Sequence, residues 1–160
     1  MSTLTLVHVV ISLIGIFSGF VVAFGLLSSK RLDGWTALFL VTTVLTSVTG
    51  FLFPIHGLTP GLVLGVISLV MLAVAILARY AMHLAGVWRK IYVITAVISL
   101  YLNVFVLIAQ AFMKVPALKA MAPTGSEPPF LISQLVVLVL FIALTIFAAI
   151  KFRNEPALAV

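Results

Sequence analysis

The sequence predicts an all-α polytopic membrane protein: a bundle of five transmembrane helices with the N-terminus outside and the C-terminus cytoplasmic. Three observations carry that prediction. The chain is 64% hydrophobic and only 8% charged, with a mean hydropathy of +1.41, whereas a soluble domain carries about 25% charged residues. Apolar runs near the length of a bilayer crossing recur along the whole chain. The charges are confined to the connections between those runs, and their signs are lopsided, nine Lys and Arg against three Asp and Glu.

A helix needs about 20 apolar residues to cross the hydrocarbon core. The first run, Leu4–Leu27, is longer than the apolar region of a cleaved signal and has no Lys or Arg before it, so it reads as a permanent span. Thr36–Phe53 and Gly61–Ala78 follow as shorter spans. They flank the stretch FLFPIHGLTPG, in which Pro54 and Pro60 stop one helix and start the next. The competing topology is a re-entrant pair broken at those prolines. Ile91–Met113 and Leu131–Ile150 complete the set. Between them the loop 114–130 contains Pro116, Pro123, Pro128 and Pro129, which forbid one continuous helix there and suit a cap over the bundle. No second domain is expected, and residues 1–160 read as one transmembrane unit.

Cytoplasmic loops collect Lys and Arg. With five spans and the N-terminus outside, the inner side holds Lys30, Arg31, Arg79, Arg89, Lys90, Lys151 and Arg153, and the outer side holds only Lys114 and Lys119. Trp35, Tyr80 and Trp88 then fall at the inner interface, where amphipathic aromatic rings settle. The net charge of +6 is therefore a topological signal, and nucleic acid is not an expected partner. The expected location is a cell membrane, specifically a bacterial inner membrane.

Helix faces can be read from their small and polar residues, which favour helix contacts over lipid. His8, Ser12, Gly15 and Gly19 share one stripe of the first span. Gly57, Gly61 and Gly65 form a second small-residue row. The fourth span carries a polar stripe of Tyr92, Thr95, Ser99, Asn103, Gln110 and Lys114. Thr42, Thr46 and Thr49 give the second span a hydroxyl face. Such hydroxyls either bond to their own helix backbone and glue helices together, or line a hydrated path.

The orientation places His8, His56, Gln110, Lys114, Glu127 and Gln134 at one membrane face. From this convergence the ligand-binding residues are expected to be His8, His56, Asn103, Gln110, Lys114 and Gln134, bordering a pocket that opens outward to a small solute or a lipid-like ligand. An alternative makes the protein a redox carrier with haem b or a divalent metal. His8 and His56 are the only histidines sharing a face, and Glu127 could join them as a metal ligand. A third reading is an accessory subunit, partnered by the bilayer, by copies of itself or by another membrane subunit.

The residues that are missing exclude more. Cys is absent, which removes disulfides and thiolate metal sites. Asp33, Glu127 and Glu155 all lie outside the spans, so no buried carboxylate can relay protons or hold Mg²⁺. There is no G-x-S-x-G nucleophile elbow and no phosphate-cradling glycine loop. No catalytic residue is assigned, and the reading favours a non-enzyme.

Overall fold

The structure, a computed structural model, describes residues 2–54 and 56–153; Glu155 lies outside them. The described residues are helical, with no strand. Their elements are α1 (Thr3–Leu27), α2 (Asp33–Gly50), α3 (Pro60–Ile76) continued by a π-helical turn Leu77–Ala81, α4 (Trp88–Lys114), the short α5 (Pro116–Met121) and α6 (Pro128–Lys151). Four helices are long and apolar enough to cross a bilayer: Thr3–Leu27, Pro60–Ala81, Trp88–Lys114 and Pro128–Lys151. The chain is thus a multi-pass helical membrane protein. α2 is not among the four, because its 18 residues begin at Asp33 and include five threonines.

Local chemistry sets the boundaries. The hydroxyl of Ser2 accepts from Thr5 N at 3.1 Å and caps α1, and Thr59 caps α3 by accepting from Leu62 N at 3.2 Å with Pro60 in the first turn. α2 begins three residues earlier than its apolar run, since Asp33 in the first turn suits the positive end of a helix. It also ends earlier, at Gly50 rather than Phe53, because Pro54 disfavours helical backbone just before it. α3 runs on to Ala81 through the π turn, so the third span is 22 residues long and not short. In the loop 114–130 the prolines do break the helix: α5 has six residues, and α6 opens on Pro128 and Pro129.

α4 is the central helix and touches every other one; α1 packs mainly on α2, and α2 also meets α3. The core lies where α1, α2 and α4 converge, with Val22, Leu26, Phe39, Tyr92, Val93 and Leu100 buried there. Large side chains such as Phe17, Val41, Val70, Leu140 and Ile150 point outward, as lipid-facing positions must in a bilayer.

One end of the bundle is stitched by polar contacts. Arg89 Nη1 donates to the carbonyls of Ala149 and Phe152, the Ser29 hydroxyl donates to Arg153 O at 3.0 Å, and Arg79 reaches Arg31 O at 3.2 Å. Among the described residues, this arginine end also holds all four non-glycine residues with left-handed backbone, namely Ser29, Leu32, His83 and Leu84. The opposite end is marked by His8, Thr49 and Phe53.

Candidate functional site: a polar seam between α1, α2 and α4

The polar stripe of α1 faces α2 and α4 along the bundle. At the His8 end, His8 Nδ1 lies 2.8 Å from Thr49 Oγ1 and the imidazole meets Phe53 edge-on at 5.2 Å. Four residues later in the stripe, Ser12 turns back to donate to His8 O at 2.6 Å.

The next level is the most polar. A methyl group on Gly15 would sit 3.2 Å from each of the Thr42 and Thr43 hydroxyls and 3.5 Å from Asn103 Nδ2. Glycine at this position lets α1 approach two hydroxyls and an amide at once. The Thr42 hydroxyl is satisfied, donating to Leu38 O at 2.6 Å. Thr43 Oγ1 and Asn103 Nδ2 are buried and have no protein partner. Leaving such a group unpaired costs about 1–3 kcal/mol.

Toward the arginine end the seam becomes apolar. A crevice whose lining includes Gly19, Val22, Phe39, Ala96 and Leu100 is too narrow to hold a water molecule. Leu100 and Phe39 close over Gly19 so tightly that a Cβ there would lie 2.6 Å from Leu100 Cδ1 and 2.9 Å from the Phe39 ring. Beyond this dry constriction the seam is polar again. Tyr92 is fully buried with its hydroxyl close to Thr36 and Arg79, though it makes no hydrogen bond of full geometry to either. The Arg79 guanidinium lies 5.2 Å from the Tyr92 ring centroid, donates through Nη2 to Asp33 Oδ1 at 2.5 Å, and leaves Nη1 buried and unpaired.

Most other hydroxyls act as helix glue. Thr46, Thr49, Thr95 and Ser99 donate to carbonyls one turn back in their own helices, and Ser47 bridges to Ser68 of α3 at 3.3 Å. That accounts for much of the stripe on α4 and the hydroxyl face on α2. Thr43 is the hydroxyl on α2 that breaks the pattern.

The residues expected to border one outer pocket are distributed over several places. His8 is on the α1/α2 joint and Asn103 faces Gly15. Gln134 ties α6 to α4, donating from Nε2 to Phe105 O at 3.1 Å, with its Oε1 buried and unpaired. Gln110, Lys114 and His56 are exposed. Within the glycine row of the third span, Gly65 makes close contact, with its Cβ position 3.0 Å from the Phe51 ring, while Gly57 has open space around it and a φ of +79°. Among the described residues no group of three or more His, Cys, Asp or Glu stands close enough to hold a metal ion, so His8, His56 and Glu127 are not gathered into one. Glu127 instead closes its own loop, its carboxylate accepting from the Thr124 amide and hydroxyl at 3.0 and 2.7 Å and from the Ser126 amide at 3.1 Å. These bonds hold its carboxyl at about 2, far below the usual 4.5.

The chain matches no family model, no curated protein and no solved structure. The site must therefore be read from its own chemistry. The sequence pointed to the seam through the α1 stripe and Asn103, but it missed Arg79, whose position near other cationic residues marked it as a loop charge. The sequence signal that set it apart was its place directly after the apolar run Leu62–Ala78.

Proposed function

We propose that this protein is a five-span membrane protein that binds a small polar solute in the α1/α2/α4 seam and passes it between the two faces. In this reading α2 is the fifth span. Its 18 residues rise about 27 Å at 1.5 Å each, close to the roughly 30 Å hydrocarbon core, and its hydroxyls are turned toward protein, not lipid. The arginine end is then cytoplasmic and the His8 end outside, in keeping with the excess of Lys and Arg at the former.

The observation that carries the reading is the pair of unpaired polar atoms around Gly15. A seam that served packing alone would be more stable with apolar side chains at Thr43 and Asn103, since a buried polar group without a partner costs about 1–3 kcal/mol. A solute, or water accompanying it, supplies the missing partners when the seam opens. The constriction at Gly19, Phe39 and Leu100 then acts as an apolar gate of the kind that closes by excluding water.

The chain contains no cysteine, so single-cysteine variants report access without background. Thr43→Cys and Asn103→Cys in intact membranes should react with a small charged thiol reagent added from outside. Leu100→Cys at the gate should react more slowly, and Val139→Cys on the outward face of α6 not at all. If Thr43→Cys is as inert as Val139→Cys, the seam is sealed packing and the protein is a structural or accessory subunit.

A further inference from the structure

We propose that the inner end of the seam is an oxyanion site, in which Arg79 Nη1 and the Tyr92 hydroxyl together bind a compact anion with oxygen acceptors. The inference rests on the solute-passing reading above and names the chemical class of the solute.

The Arg79 side chain is 1% exposed, whereas its one carboxylate partner, Asp33, is 74% exposed and also lies 3.4 Å from Arg31 Nε. A guanidinium offers five N–H donors in a planar fork that suits carboxylate and phosphate oxygens. Here Nη2 is engaged by Asp33 Oδ1 and Arg31 O, while Nη1 is buried with no acceptor. Beside it the Tyr92 hydroxyl is buried within electrostatic reach of Arg79 and Thr36, but makes no hydrogen bond of full geometry to either.

The unpartnered polar atoms along the seam are all able to donate. Asn103 Nδ2, Tyr92 Oη and Arg79 Nη1 all donate, and Thr43 Oγ1 is able to. No Asp or Glu lies in the seam between Thr49 and Thr36, and at its inner end the Asp33 carboxylate engages Arg79 Nη2 and leaves Nη1 without an acceptor. A cation would find no counter-charge along this route, and an anion finds donors at each polar level. The π-helical turn Leu77–Ala81 swings Arg79 into the bundle, and π turns recur at functional sites. Two sources share the required chemistry: a free oxyanion passing through the seam, and the phosphate of an inner-leaflet lipid reaching Arg79 from the side.

The test uses the full chain in phosphatidylcholine nanodiscs, with thermal unfolding followed while sodium nitrate or inorganic phosphate is titrated at constant ionic strength. Wild type should show a saturable rise in its unfolding midpoint. Tyr92→Phe keeps the ring and removes one charge-assisted donor, so its apparent affinity should fall about tenfold, matching a bond of about 1.4 kcal/mol. Arg79→Lys, which keeps the charge but loses the fork, should weaken binding as well. A rise with the soluble anions assigns the site to a free solute. A rise only when phosphatidylglycerol replaces part of the phosphatidylcholine assigns it to a lipid phosphate. No saturable rise with any of these probes, or a Tyr92→Phe response equal to wild type, overturns the oxyanion site. If Thr43→Cys is nonetheless reactive, only this inference falls; an unreactive Thr43→Cys removes the seam reading too.

Discussion

Arg79 Nη2 and Asp33 Oδ1 are 2.5 Å apart, yet the two side chains occupy opposite environments, one 1% and the other 74% exposed. The pair joins the end of the third span to the start of α2. Its two halves should therefore respond differently to substitution. Asp33→Asn leaves a buried guanidinium without its carboxylate and should destabilise the protein by about 1.5–3 kcal/mol, the range for a hydrogen bond to a charged group. Arg79→Met removes the buried charge together with its desolvation penalty and should cost less, as apolar replacement of buried ions generally does. Equilibrium unfolding of both variants in mixed micelles checks the order; an equal loss from both would contradict it.

The constriction between α1, α2 and α4 rests on a missing side chain. Gly19→Ala drives a methyl group to within 2.6 Å of Leu100 Cδ1, so it should lower stability by about 1–3 kcal/mol through overpacking. Adding Leu100→Ala makes room for that methyl group. The double variant should recover part of the Gly19→Ala loss, and a double-mutant cycle should show coupling between the two sites. Strict additivity would mean that these residues do not press on each other.

Glu127 gives the loop 114–130 a pH dependence of defined sign. Its folded pKa of about 2 lies below the usual 4.5, so its ordering of residues 124–127 is fully present above pH 4.5. That ordering is lost as pH falls toward 2, where the carboxylate protonates and stops accepting from Thr124 and Ser126. Protection of the Thr124 and Ser126 amides from hydrogen exchange, relative to the intrinsic rate at each pH, should fall across that window in wild type. In Glu127→Gln it should be low already at neutral pH, with no transition between pH 4.5 and 2.

Much of this was legible from residue order. The stripe of His8, Ser12, Gly15 and Gly19 does face the other helices, because small residues in a bilayer mark the places where backbones approach. Tyr92, Thr95 and Ser99 are buried for the same reason of periodicity. Gln110 and Lys114 share that stripe by angle but lie exposed, since a helical angle says which residues align and not how far neighbouring helices accompany them. The charge of Arg79 reads as a topological marker, and nothing local reveals that its side chain is buried and pairs with Asp33, forty-six positions away.

The sequence by itself determined that this chain lives in a membrane, roughly where its helices run, and which end carries the cationic residues. Those properties follow from transfer free energies that each residue contributes almost independently of its neighbours. Only the tertiary structure decided that Gly15 brings Thr43 and Asn103 together, that Phe39 and Leu100 close over Gly19, and that Arg79 and Tyr92 share a buried polar end. Those are properties of pairs on different helices, set by ångström-scale packing between surfaces that the sequence does not place in contact.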